Sequence, residues 1–156
     1  MKILILSDSH EITPDFNFKK YDYVIHAGDY GRSYDLLNDN KVIFVRGNCD
    51  YYGDKELLEI INDKRVYITH GDLYRVKYQM SSLYYRAKEV EANLVIFGHT
   101  HEAYYDIEEG ITFINPGSYC SGRYVEIIND EVIFYLNNTV VKKFKNDFLR
   151  WKLWLM

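Results

Sequence analysis

Two aspartates, one asparagine and four histidines stand at the ends of short apolar runs, and together they could hold a pair of divalent cations. They are Asp8 and His10, then Asp29, Asn48 and His70, and finally His99 and His101. The runs before them are Ile3 to Leu6, Val24 to Ile25, Val42 to Val45, Val66 to Ile68 and Leu94 to Phe97. A carboxylate can bridge two cations and offset their charge. A neutral imidazole suits Mn, Fe, Co, Ni or Zn, and an amide oxygen ligates without adding negative charge beside a phosphate. Two such ions polarise a phosphoryl oxygen and acidify a shared water, so that hydroxide forms near neutral pH and no protein nucleophile is needed. Taken alone, each stop has a plainer reading: His70 before Gly71 is a strand-end turn, and Asn48 is a cap or turn residue. Five stops in order make the pattern.

The elements that must position these residues follow from spacing. Asp8, Asp29, Asn48, His70 and His99 are 21, 19, 22 and 29 residues apart, which suits βα units with parallel strands and right-handed crossovers. In an open α/β sheet the usable crevice lies outside the carboxyl ends of the strands. Asp8 and His10, like His99 and His101, stand two residues apart, which in extended chain points both donors to one side. Asp54 reads as the cap of a helix carrying Leu57, Leu58 and Ile61 on one face. Met80, Leu83, Tyr84, Ala87 and Val90 repeat with helical period in a second helix. After His101, the runs Ala103 to Ile107, Ile111 to Ile114, Tyr124 to Ile128, Val132 to Leu136 and Thr139 to Phe144 read as antiparallel strands separated by turns. The expected organisation is two sheets in one domain over residues 1–156. It closes with an apolar and basic tail, 147–156, that holds Trp151 and Trp154 and is expected to pack on its own domain or on a second subunit as a homo-oligomer contact, with a membrane-surface role as the remaining alternative.

An apolar content of 47% over 156 residues is enough to bury a core unaided. No apolar stretch approaches the length of a membrane span. The first apolar run is too short for a secretory leader, and Cys49 and Cys120 form neither a CxxC pair nor a disulfide framework, so a cytoplasmic location is expected. The formal charge of −4 hides an asymmetry. From Lys142 onward five basic residues face one acidic residue, Asp147, so a tail of +4 leaves about −8 on the body. Stable binding of duplex nucleic acid is not expected of such a body. Sixteen tyrosines read first as compositional bias; more specifically, Tyr30, Tyr51, Tyr52 and Tyr74 follow the stops and could form an aromatic rim that stacks on a base or aryl group. No GxSxG elbow, Walker loop or dinucleotide fingerprint is present, which removes support for those enzyme classes.

The wording DSH at 8–10, GD at 28–29, GN at 47–48, HG at 70–71, GHTH at 98–101 and NPGS at 115–118 resembles the calcineurin-like metallophosphoesterases. The short length and the GNCD and NPGS wording look like the small prokaryotic phosphodiesterase branch. The resemblance implies an α/β fold, a four-layer α/β/β/α sandwich of two mixed sheets flanked by helices. It also implies two divalent transition-metal ions, manganese first, with Ni, Fe, Co or Zn as alternatives. By motif, Asp8, His10, Asp29 and His101 would hold one ion and Asp29, Asn48, His70 and His99 the other, with Asp29 bridging. The implied activity is hydrolysis of a P–O bond in a phosphate diester, with metal-bound hydroxide as the nucleophile. The chain departs from the pattern where many relatives carry a histidine after the motif asparagine; here the residue is Cys49. Asp72 likewise stands where some relatives have histidine. Asp50 and Asp72 are therefore the candidate catalytic proton donors, and the poverty of imidazole favours diesters over alkyl monoesters. His26 is expected to be a buried hydrogen-bonding residue that orients a ligand loop, and NPGS a turn. Two other classes compete: a non-enzymatic protein-interaction scaffold of the same fold, and a nuclease using the same metal site.

Overall fold

Successive side chains of each strand point to opposite faces of the sheet in the computed structural model, which describes residues 1–149. The strands are β1 (Lys2–Leu6), β2 (Tyr23–His26), β3 (Val42–Phe44), β4 (Glu56–Ile61), β5 (Lys64–Thr69), β6 (Leu94–Ile96), β7 (Ala103–Glu108), β8 (Ile111–Pro116), β9 (Arg123–Ile128), β10 (Glu131–Leu136) and β11 (Thr139–Lys145). They form a six-stranded sheet of order β11-β10-β9-β1-β2-β3 and a five-stranded sheet of order β4-β5-β6-β8-β7. Both are mixed. β1, β2 and β3 run parallel, as do β5, β6 and β8, while the remaining pairs are antiparallel.

Ile3, Ile5, Ile25, Val66, Ile68, Leu94, Ile96, Val125 and Ile127 point between the sheets into one core. Their neighbours Leu4, Leu6 and Val24 point outward under Tyr21 and Phe18, and Tyr67, Val95, Phe97 and Phe113 point outward under the single α-helix among the described residues. That helix, α1 (Ser81–Glu89), buries Leu83 and Ala87. Because successive side chains point to opposite faces, the near-continuous apolar runs make both faces of each sheet apolar and covered. The four-layer sandwich is therefore present with thin outer layers. Over the first sheet the covering is the loop through Pro14 and Phe18 and the 3-10 segment Gly31–Asn38, with Leu37 buried.

The helix expected after Asp54 is not there. Residues Glu56–Ile61 form β4, which pairs antiparallel with β5 across a tight turn at Asn62 and Asp63, both at positive φ. Leu57 and Ile61 are four residues apart, a spacing that places them on one face of a strand as well as of a helix; both face the inter-sheet core. Leu58 and Ile60 face outward and are partly exposed. The later half of the chain is not wholly antiparallel either, because β8 joins β6 in parallel. Each half of the sequence contributes to both sheets: β9 docks beside β1, and β8 beside β6. No described helix is long and apolar enough to cross a membrane. The tail, with Trp151 and Trp154, lies outside the described residues beyond Leu149, which is itself fully buried in the inter-sheet core.

Candidate metal centre

The carboxyl ends of the parallel strands in both sheets meet at one place. Asp8 and His10 follow β1, Asp29 follows β2, Asn48 and Cys49 follow β3, His70 follows β5, and His99 and His101 follow β6. Five of these residues hold left-handed backbone conformations: Asp8 (φ 52°), His10 (44°), Asp29 (56°), His99 (71°) and His101 (66°). Such conformations are uncommon for residues with a side chain and persist only where the surroundings enforce them, typically at functional sites.

The side chains converge. His101 Nε2 lies 3.2 Å and His10 Nε2 3.8 Å from Asp8 Oδ1, and His70 Nε2 lies 3.2 Å from Asp29 Oδ2 and 3.8 Å from Asp8 Oδ1. His10 Nε2 is 3.9 Å from Asp29 Oδ2 and 3.4 Å from His101 Nε2, and His99 Nδ1 is 3.3 Å from His70 Nε2. Two trios, Asp8 with His10 and His101, and Asp8 with Asp29 and His70, have donor atoms close enough to share an ion. A third joins His10 and Asp29 to Cys49. Asn48, by contrast, is exposed, and its amide nitrogen donates to Cys49 Sγ at 3.6 Å.

Every oriented group in the cluster presents a lone pair to the middle. His70 Nδ1–H donates to the Ala27 carbonyl at 2.7 Å, which leaves Nε2 facing Asp29 and Asp8. Asp8 Oδ2 accepts from Ser7 Oγ at 2.6 Å and from the His99 backbone N–H at 3.1 Å, while Asp8 Oδ1 is buried with no hydrogen-bond partner. Asp29 Oδ1 accepts the Cys49 backbone N–H at 2.9 Å, which turns Oδ2 toward the histidines. A buried carboxylate oxygen without a partner, ringed by imidazole nitrogens, is unfavourable unless a cation joins it. The donor set therefore fits divalent ions of the kind imidazole and carboxylate prefer. The charges agree. Without a metal, a proton on His70 Nε2 takes the cation's place: burial alone would lift the Asp29 pKa, but the hydrogen bond and charge of protonated His70 outweigh it and bring it down to about 2. Burial alone would lower the His70 pKa, but Asp29 and Asp8 move it up.

A supporting layer holds these residues. Asp50 accepts backbone N–H groups from Asp29 (2.7 Å), Gly47 (2.8 Å) and Tyr30 (3.2 Å), tying the second and third ligand loops together. Burial raises its pKa in spite of these bonds. Asp72 is half-buried at the start of the 3-10 turn Asp72–Tyr74, and its carboxylate has no hydrogen bond among the described residues. NPGS does more than turn the chain: Asn115 donates to the Gly98 carbonyl and to Thr100 Oγ1, both at 3.0 Å, and Ser118 Oγ donates to the Asp8 carbonyl at 2.8 Å. Ser7, Asn115 and Ser118 carried no sequence signal for these roles beyond lying within or beside motifs. The expected aromatic rim is half present. Tyr51 and Tyr52 are exposed, but Tyr30 OH donates to the Tyr52 carbonyl and Tyr74 OH to Glu56.

At Gly98 and Gly47 the ligand side chains approach the backbone closely. A Cβ on Gly98 would lie 2.0 Å from Ser7 Oγ and 2.7 Å from Asp8 Oδ2, and one on Gly47 2.2 Å from Asp29 Oδ1. Gly98→Ala is therefore expected to displace the Asp8 carboxylate. Calorimetric metal titration should show affinity lowered about 10- to 100-fold, with a fold destabilised by about 1–3 kcal/mol; unchanged affinity would refute the packing argument.

His26 is buried as expected. Its Nδ1 accepts the Gly28 N–H at 3.1 Å, so Nε2–H donates to Ser9 Oγ at 2.9 Å, within the first ligand loop. Burial first, then the neighbouring His70, lowers its pKa from 6.5 to about 3. Both folded and unfolded chains keep this group neutral above 6.5, so it contributes nothing there. Between 6.5 and 3 only the unfolded chain takes the proton, and stability falls by up to about 1.4 kcal/mol per pH unit. In metal-free protein, His26→Asn should lessen the dependence of unfolding free energy on pH between 6 and 4 by roughly one proton. Equal slopes by urea denaturation would contradict a neutral buried His26.

A family model for the calcineurin-like phosphoesterase superfamily domain matches residues 1–131. The chain is 35% identical over 126 residues to the probable metallophosphoesterase YsnB of Bacillus subtilis, covering 76% of this chain and 75% of that protein. It is 31% identical over 150 residues to the phosphodiesterase MJ0936 of Methanocaldococcus jannaschii, covering 77% and 85%. Among solved structures it superposes on a predicted phosphoesterase from Streptococcus pneumoniae with a TM-score of 0.76 at 29% identity, covering 93% of this chain and 97% of that one.

Proposed function

The chain belongs to the calcineurin-like phosphoesterase superfamily and is a metal-dependent phosphoesterase, and from that premise we propose that it is a phosphodiesterase with a binuclear centre. The observation that carries the proposal is the unpartnered, fully buried Asp8 Oδ1, set between His10, His70 and His101 beside the Asp29 carboxylate. Asp8, His10, Asp29 and His101 would hold one ion and Asp29, Asn48, His70 and His99 the other. When bound, such ions supply Lewis acidity at the phosphoryl oxygen and acidify water for in-line attack. Manganese is the first candidate.

The protein's own contribution is positional. Ala27 fixes the His70 tautomer, Ser7 and the His99 N–H hold one oxygen of Asp8, and the Cys49 N–H holds one oxygen of Asp29. Each leaves one lone pair aimed at the cleft. Asn48 is exposed with its amide on Cys49 Sγ, and its ligation would require that amide to turn inward. We assign Asp50 to clamping the loops, because backbone N–H groups occupy both its oxygens, and Asp72 to proton donation, because its carboxylate is free. The diester preference rests on Cys49 and on the commitment of every histidine: four to the cluster and His26 to Ser9 and Gly28. A non-enzymatic scaffold has no need of a full donor set in enforced backbone conformations, so that reading is weaker.

The test is reconstitution of folded protein with Mn²⁺, elemental analysis, and assay on bis(p-nitrophenyl) phosphate. Two ions per chain with metal-dependent release of nitrophenol is expected. A folded protein that takes up no ion would overturn the proposal in favour of the scaffold.

A further inference from the structure

The third donor trio is not one that the proposed ligand assignment uses. A nitrogen of His10, an oxygen of Asp29 and the sulfur of Cys49 lie within 4.8 Å of one another. We propose that Cys49 is a sulfur ligand to the ion held by His10 and Asp29, giving this chain a mixed N, O, S site in which the sulfur adds more affinity for thiophilic ions such as Zn²⁺, Co²⁺ and Cd²⁺ than for Mn²⁺. The inference rests on the metal-dependent reading above and deepens it.

Geometry places the sulfur there. The Cys49 backbone N–H is bonded to Asp29 Oδ1, so the first atoms of the Cys49 side chain are carried by the same carboxylate that would take the ion. Asp50 then locks the loop by accepting from Asp29, Tyr30 and Gly47. Independently, Asp8 Oδ1, buried and unpartnered, lies 3.8 Å from His10 Nε2, so the nitrogen that completes the trio already borders a place built for a cation. With bonds of about 2.3 Å to sulfur and about 2.0 Å to nitrogen, two ligands on a tetrahedral ion sit roughly 3.5 Å apart. Closing the trio needs movement of about 1 Å or less on each arm, within reach of an exposed cysteine side chain. The Asn48 amide N–H donates to Cys49 Sγ at 3.6 Å, which helps hold the sulfur beside the loop.

The step is a ligand exchange. The Cys49 S–H bond breaks with its proton passing to solvent, a sulfur–metal bond forms, and one water leaves the ion; nothing is oxidised or reduced. Soft thiolate adds most to Zn²⁺, Co²⁺ and Cd²⁺ and little to Mn²⁺.

Co²⁺ titration of the full chain at neutral pH tests this by absorbance. A sulfur-to-cobalt charge-transfer band is expected in wild type and in Cys120→Ala, and its absence in Cys49→Ala. Zn²⁺ affinity by chelator competition should fall on the order of tenfold or more in Cys49→Ala, with Mn²⁺ affinity little changed. Zn²⁺ should also shield Cys49, but not Cys120, from alkylation in the wild-type protein, a readout that needs no variant. Stoichiometric Co²⁺ binding without the band, a band lost in Cys120→Ala instead, or Cys49 alkylation unaffected by Zn²⁺ would overturn the sulfur ligand while leaving the phosphoesterase reading intact. No Co²⁺ uptake at all by folded protein would overturn both.

Discussion

Asp29→Ala is expected to abolish uptake of both ions and to lower kcat/KM on an aryl phosphate diester by at least about 10³-fold. The magnitude follows from losing several kcal/mol of transition-state charge stabilisation at about 1.4 kcal/mol per tenfold. Asp29 is singled out because it faces a histidine of each proposed ion site, His10 and His70. Its Oδ2 faces His70 at 3.2 Å and His10 at 3.9 Å, and its Oδ1 fixes the Cys49 loop. Loss of activity alone would not distinguish a missing ligand from a damaged fold. The decisive measurement is the melting temperature with and without Mn²⁺. Ligand that binds only the folded state stabilises it by mass action, so wild type should gain stability on adding metal and the variant should not. A variant that still gains the full shift would show that Asp29 holds neither ion.

The convergence of Asp8, His10, Asp29, His70, His99 and His101 was legible because two signals combine: short apolar runs, and polar residues stopping those runs at regular intervals. Topology then brings the stops together, since parallel strands end at the same edge. The supporting layer was not legible. Asn115 and Ser118 clamp Gly98 and Asp8, yet their partners are 17 and 110 positions away, and no local rule reports such a pairing. The left-handed backbone at Asp8, Asp29 and His99 was equally hidden. Glycine would have advertised it, whereas aspartate and histidine occupy it only because surrounding hydrogen bonds enforce it. At β4 the difficulty was arithmetic: Leu57 and Ile61 repeat at a spacing common to helix and strand. The turn at Asn62 and Asp63, followed by Val66, Tyr67 and Ile68, was the cue that favours a hairpin.

Aryl diesters should be cleaved far better than alkyl monoesters, and kcat/KM should fall steeply as the leaving-group pKa rises. General acid assistance is typically worth about 10²- to 10⁴-fold, and no histidine is placed to give it. Four point into the cluster, and His26 is buried, bonded at both nitrogens and kept neutral with a pKa of about 3. Departing oxygens must then leave largely as anions, which acidic phenols do readily and alkoxides do not. Two carboxyl groups nearby are chemically able to donate a proton, and the structure separates them. Asp50 receives three backbone N–H bonds that hold the Asp29 and Gly47 loops, so Asp50→Asn should weaken metal binding and depress all substrates together. Asp72 makes no such bond and sits close enough to His99 to oppose, without reversing, the lowering of that residue's pKa by burial and His70. Asp72→Asn should therefore spare nitrophenyl diesters within about twofold yet cost about 10- to 100-fold on poor leaving groups, steepening the leaving-group plot at matched metal occupancy. A wild-type enzyme that favours alkyl monoesters, with a flat plot unaltered in either variant, would mean that another group supplies the proton and that the site is assigned wrongly.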